Sequence, residues 1–146
     1  MVKIREMNAN DLPQIARLVS QLGYDCSESE VTRRFQFIRS ASGHALFVAV
    51  DEHLAKVVGW IHVLEFPTLE MSISTELGGL VVDSSMRGRG IGKLLVDAAE
   101  KWSSDKGISR LQFTSQMKRT EAHAFYKKLG YQIIKNSYYF SKDLVE

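Results

Sequence analysis

Apolar positions along this chain recur with two periods, and the switches between them mark out its elements. Residues 2–6 read as a first strand. Leu12, Ile15, Leu18, Val19 and Leu22 follow at helical spacing, opened by the capping pair Asn8 and Asp11 and closed at Gly23. Val31, Phe35 and Ile38 share one face of a second helix, which Ser29 can cap. Residues 46–50 and 57–63 are β-branched and aromatic runs around Asp51, Glu52 and His53, the pattern of a hairpin.

Pro67 opens a loop over 66–73, and a fourth strand is expected over 75–82. Gly78 and Gly79 lie inside that strand, where glycine weakens a sheet and marks a bulge or a close backbone approach. Ile91, Leu94, Leu95, Ala98, Ala99 and Trp102 then define a long amphipathic helix, with Gly107 as its left-handed stop. A strand over 110–116, a short helix carrying Phe125 and Tyr126, and two strands over 131–135 and 137–142 complete the order.

The join between the fourth strand and the long helix is Arg87-Gly88-Arg89-Gly90-Ile91-Gly92, followed by Lys93. The first-turn N–H groups of a helix have no intrahelical partner, and the macrodipole concentrates partial positive charge there. Glycines allow a phosphate close to those amides, and Arg87, Arg89 and Lys93 add cationic donors, which favours a pyrophosphate over a single carboxylate. Glycine-rich turns of this kind also arise for steric reasons alone. Two better-known phosphate loops fail on spacing. The pattern G-x-x-x-x-G-K-[S/T] does not fit, because Lys93 is followed by Leu94. The dinucleotide pattern G-x-G-x-x-G needs an acidic residue on a second strand, whereas Glu100 and Asp105 fall on the helix itself.

Composition narrows the picture. The chain has 146 residues, is 45% hydrophobic and carries net charge +2, which suits one globular domain and is too mild for a nucleic-acid surface. No apolar run is long enough for a membrane span or a signal peptide, so a cytoplasmic protein is expected. One cysteine, Cys26, cannot form an internal disulfide, and no His or Cys pair has metal-ligand spacing.

Arg87, Gly90 and Gly92 match the Gln/Arg-x-x-Gly-x-Gly/Ala pyrophosphate loop of the GNAT superfamily of N-acetyltransferases. The segment 120–131, with Phe125-Tyr126 and Leu129-Gly130-Tyr131, resembles the last motif of the same family. The resemblance implies one N-acetyltransferase domain over 1–146. It implies an α/β fold with a mixed, largely antiparallel sheet of about seven strands, helices on both faces, and a splay between strands 4 and 5. It implies acetyl-CoA as co-substrate, bound by Leu80, Val81 and Val82 of the fourth strand and by Arg87, Gly88, Arg89, Gly90, Ile91, Gly92 and Lys93. An amine is the other partner, with no metal, no nucleic acid and no membrane; a homodimer stays open.

A primary amine has a pKa of about 10.4, so releasing its lone pair at neutral pH costs roughly 4–5 kcal/mol. Glu76 stands at the spacing from the loop at which the histone-acetylating branch carries its base, with Glu65, Glu70 and His62 as substitutes; an exposed strand-edge glutamate is the bland reading. Tyr126 matches the tyrosine that protonates the departing thiolate, against the alternative of a core aromatic. Arg119 stands where many members carry an Asn that bonds the CoA arm, so that hydrogen bond is in doubt. His123 reads as a helix-surface residue. The resulting reading is direct acetyl transfer in a ternary complex to a small-molecule amine. A protein lysine or N-terminus as acceptor, or an acyl-CoA sensor without turnover, are the alternatives.

Overall fold

The computed structural model describes residues 1–145. Five strands form one sheet in the order β1-β2-β3-β4-β5: β1 Val2–Glu6, β2 His44–Asp51, β3 Lys56–Phe66, β4 Ser74–Val82 and β5 Leu111–Gln112. The first four pair antiparallel, and β5 joins β4 in parallel. The described residues also form four α-helices: α1 Leu12–Ser20, α2 Glu28–Ser40, α3 Ile91–Asp105 and α4 Thr120–Lys128. Chain contacts divide the protein into two compact units, Met1–Phe113 and the residues from Thr114 on.

Sequence chemistry accounts for the helix ends. Asn8 accepts from Asn10 N at 2.9 Å and Asp11 accepts from Asn8 N at 2.8 Å, the expected pair, on a short 3-10 turn that leads into α1. The second helix starts at Glu28, capped by Ser27 where Ser29 was expected. Ser27 Oγ accepts from Glu30 N at 3.2 Å while Glu30 accepts from Ser27 N at 3.1 Å, and this reciprocal box satisfies two first-turn donors where a lone serine satisfies one.

In the first unit, helices cover both sheet faces. Leu12, Ile15 and Leu18 of α1 and Val31 and Phe35 of α2 pack on Val48, Val57 and Val81 of the sheet. On the opposite face α3 lies so close that a Cβ at Gly59 would sit 3.1 Å from Leu95 Cδ1 and 3.5 Å from Ile91 Cγ2. The β4–α3–β5 crossover is pinned by Thr75, whose N–H donates to Arg110 O at 2.9 Å and whose hydroxyl shares a 2.7 Å hydrogen bond with Ser103.

The strand count is five where about seven were expected. Residues 131–135 and 137–142 take no strand conformation, and Ile133, Ile134, Tyr138, Tyr139 and Phe140 are exposed. β-branched and aromatic content favours a strand, but a ladder holds only where its face is buried. The strand expected over 110–116 is likewise cut to Leu111–Gln112. Its pairing stops after Thr75–Leu111 and Glu76–Gln112. Beyond it β4 carries an extra residue, Gly78, and such a bulge bends its strand and increases its twist. Among the described residues, 77–82 of β4 therefore run on with no strand neighbour on that edge, which is the expected splay.

Asp83, immediately after β4, anchors the chain where it leaves the sheet. Its buried carboxylate accepts from Ser85 N (3.1 Å), Ser85 Oγ (3.0 Å), Arg17 Nη1 (3.1 Å) and Gln21 Nε2 (3.4 Å), and Lys56 Nζ lies at 3.8 Å. Burial alone pushes this carboxyl up, but the donors from Ser85, Arg17 and Gln21 outweigh it and hold the group well below the usual carboxylate range. Losing one partner of a buried pair costs about 3–5 kcal/mol; Arg17 and Lys56 keep access to water, so Asp83→Asn should cost about 2 kcal/mol at pH 7. Because the folded pKa is depressed, the stabilisation is complete above the unfolded value of about 3.9 and fades as pH falls below it. Urea melts of both proteins should therefore converge in acid; a constant difference down to pH 3 would refute this account of Asp83.

Candidate active site

The chain leaves Asp83 through a 3-10 turn, Ser84–Met86, and reaches α3 through the glycine-rich loop. Gly88 and Gly90 have φ of +78° and +79°, left-handed values that glycine adopts at no steric cost. An ideal Cβ on either would meet nothing within 4 Å, so the two glycines serve the backbone path and leave the outer side of the loop open. Gly90 is the N-cap of α3 and offers no side-chain acceptor; the first intrahelical bond is Leu94 N to Gly90 O at 3.2 Å. The first-turn amides of Ile91, Gly92 and Lys93 thus stand uncapped by any side chain, flanked by the exposed Arg87 and Arg89. Lys93 is exposed too, and its ammonium is paired with Asp97 Oδ2 at 2.8 Å.

The open edge of β4 leads into this loop. Val81 is buried, while Leu80 and Val82 are half-buried. Register with β3 passes from Val63–Leu77 to His62–Gly79, which leaves Gly78 as the bulge. The bulge decides which way Glu76 faces. Without it Glu76 would share a face with Gly78 and Leu80; with it, Glu76 opposite Leu64 shares a face with Gly79 opposite His62 and with Val81 opposite Trp60. Val81 and Trp60 belong to the cluster under α1 and α2, so this is the face those helices cover. Glu76 is half-buried there, and desolvation raises its carboxyl above the ordinary range.

Two histidines, one of them named among the substitutes for the base, meet on the same face. His44 of β2 stands opposite Leu64, so His62 of β3 is its diagonal neighbour. His44 Nδ1 and His62 Nε2 lie 2.9 Å apart, with the rings stacked at 5.2 Å and 23°. The His62 ring leans on the bulge, and a Cβ at Gly78 would collide with its Nδ1. Burial, and then the charge of His44, push His62 down to about 4, so its ring is neutral at physiological pH. No motif connects the pair in the chain; only strand register brings it together.

Tyr126 belongs to the second unit. It lies in α4, half-buried, with the Phe125 ring at 5.2 Å and the Tyr131 ring at 6.3 Å, both edge-on, and Tyr131 N donates to Tyr126 O at 3.1 Å. Burial pushes its phenol up against the smaller opposing pull of Arg119, so the hydroxyl holds its proton firmly. Arg119 is the N-cap residue of α4 and its side chain caps nothing. His123, expected on the surface, is half-buried and its Nε2 donates to Gln116 O at 2.9 Å.

The open β4 edge thus runs into a cation-flanked, glycine-opened helix N-terminus, and comparison with known proteins gives the family. Residues 10–131 match the acetyltransferase (GNAT) family, so the chain belongs to that family of acetyl-CoA-dependent N-acetyltransferases. It is 36% identical over 67 residues to the uncharacterized N-acetyltransferase YhdJ of Bacillus subtilis (strain 168), a match that covers 45% of this chain and 46% of that one. The chain thus aligns with about half the length of that relative. Among solved structures, a transcriptional regulator from Bacillus halodurans superposes with a TM-score of 0.87 at 25% identity, covering 97% of this chain and 100% of that one. Glucosamine-6-phosphate N-acetyltransferase from Arabidopsis thaliana superposes with a TM-score of 0.81 at 24% identity over 99% of both chains.

Proposed function

We propose that this protein transfers the acetyl group of acetyl-CoA to the primary amine of a small molecule, directly and in a ternary complex. The observation that carries the reading is the β4 edge over 77–82, which has no strand neighbour among the described residues and leads into the uncapped N-terminus of α3. Backbone groups of Leu80, Val81 and Val82 receive the acyl arm. The amides from Gly88 to Lys93, with Arg87 and Arg89, receive the pyrophosphate. Glu76 takes the proton of the acceptor amine, directly or through a water, and its half-buried position on the sheet face that α1 and α2 pack against supports that role. Tyr126 returns a proton to the sulfur as the C–S bond of the thioester breaks, a role that rests on its motif and on a phenol kept protonated by burial. A cytoplasmic location is part of this reading; among the described residues no helix is long and apolar enough to cross a membrane. A small acceptor is favoured over a protein lysine or N-terminus because the structural relative from Arabidopsis thaliana is, by name, an amino-sugar phosphate acetyltransferase.

The cofactor half of this reading is tested by melting. Acetyl-CoA should raise the wild-type melting temperature, as a ligand confined to the folded state does. Gly90→Val places a branched side chain in the open space over the loop and should abolish that rise. Its left-handed backbone adds a strain of about 1–2 kcal/mol, so Gly107→Val, with φ of +76° at the far end of α3 and equally open surroundings, is the matched control. It should lose similar stability and keep the acetyl-CoA shift. A normal shift in folded Gly90→Val would overturn the loop assignment.

A further inference from the structure

Glu76 is half-buried on the sheet face that α1 and α2 pack against, and a base that takes up an amine proton must pass it on before the next turnover. Its direct register partners are Leu64 of β3 and Gln112 of β5, and the titratable pair on the same sheet face is His62 of β3 with His44 of β2 beyond it. His62 sits two residues along β3 from Leu64, the residue opposite Glu76, which makes it a diagonal neighbour of Glu76 on the same face, a separation that one bridging water can span. Its Nε2 is engaged by His44, while its Nδ1 faces the bulge at Gly78 and has no hydrogen-bond partner among the described residues. His44 is only half-buried, so the outer end of the pair has access to water. Among the described residues no third His, Cys, Asp or Glu joins them as a metal-binding group.

We propose that His62 and His44 form a two-ring relay that carries the acceptor's proton from the Glu76 site to solvent. The inference rests on the acetyl-transfer reading above and adds the exit route to it. His62 Nδ1 accepts the proton, His62 Nε2 gives its own to His44 Nδ1, and His44 Nε2 gives one to water or buffer. The O–H bond of protonated Glu76 breaks as the His62 Nδ1–H bond forms, the His62 Nε2–H bond breaks as the His44 Nδ1–H bond forms, and the His44 Nε2 proton ends on water or buffer. The pair returns to its starting charge with both tautomers exchanged, and proton exchange with water resets the tautomers before the next turnover. His62 is well suited to transit, because its desolvated ring does not hold the proton it receives. A lysine or arginine in either position would retain a proton and block the path. A glutamine would keep the hydrogen bond and stop the transfer.

The test is His44→Ala and His44→Gln assayed for acetyl-CoA turnover in dilute, non-nucleophilic buffer, with and without added imidazole. Both variants should lower kcat by roughly ten- to a hundredfold with the KM for acetyl-CoA unchanged, part of the range typical of acid–base steps. Added imidazole should restore the rate in proportion to its concentration and leave the wild type unaffected. His44→Gln guards against a folding defect, since it preserves an acceptor for His62 Nε2. Full activity in both variants, or a loss that imidazole does not restore, would overturn the relay and leave the pair as a brace between β2 and β3. A folded wild type that binds acetyl-CoA and releases no thiol would overturn the acetyl-transfer reading itself, and the relay with it.

Discussion

Tyr126→Phe should lower turnover by roughly a hundred- to ten-thousand-fold, the range for loss of a positioned general acid. The substitution keeps the ring and its edge-on contacts with Phe125 and Tyr131 and removes only the hydroxyl. The melting temperature and the acetyl-CoA shift should therefore stay close to wild type. Burial raises the phenol, so it remains a proton donor through the neutral and mildly alkaline range in which an amine nucleophile forms. The loss should fall on kcat and kcat/KM alike, because the proposed interaction exists only as negative charge builds on sulfur. Steady-state kinetics on any active amine decide the matter. Unaltered turnover in the Phe variant would return Tyr126 to the role of a packing aromatic.

Glu76→Gln should have the next largest effect, roughly a hundredfold near neutral pH. The loss should shrink as rising pH deprotonates the free amine and removes the need for a base. The wild-type rate should fall on the acid side as Glu76 becomes protonated, with its midpoint above the ordinary glutamate value because desolvation raises that carboxyl. The Gln variant should lack this limb. A carboxylate that merely attracted a cationic substrate would behave differently, raising KM, weakening with salt and leaving saturated turnover nearly unchanged. Parallel pH profiles of equal height for the two proteins would reject the base.

The features that follow from local chemistry were legible in the chain. The Asn8–Asp11 cap, the β2–β3 hairpin, the apolar face of α3 from Ile91 to Trp102, the helix close at Gly23 and the left-handed stop at Gly107 each depend on residues within one or two turns of one another. The bulge at Gly78 was legible as a disturbance, but its effect on Glu76 was not, since the presence or absence of one extra residue turns the carboxylate to one face or the other. The His44–His62 contact spans 18 positions and exists only in the final strand register, so nothing in either neighbourhood announces it. Asp83 draws its donors from α1, β3 and its own turn, and reads in sequence as an ordinary strand-end aspartate. The two last strands are absent although Tyr131, Ile133 and Ile134 in the first and Tyr138, Tyr139 and Phe140 in the second carry strong β-propensity, which cannot say whether a partner ladder forms.

The central claim is amine-dependent acetyl transfer, and the direct measurement is thiol release from acetyl-CoA across a panel of small primary amines, lysine-containing peptides and peptides with free N-termini. The account predicts release that depends on a small amine, with one acetylated amine formed for each thiol. Binding of acetyl-CoA with no amine-dependent thiol release would mark a sensor, and acetylation confined to the peptides would mark a protein acetyltransferase; either result contradicts the proposed function.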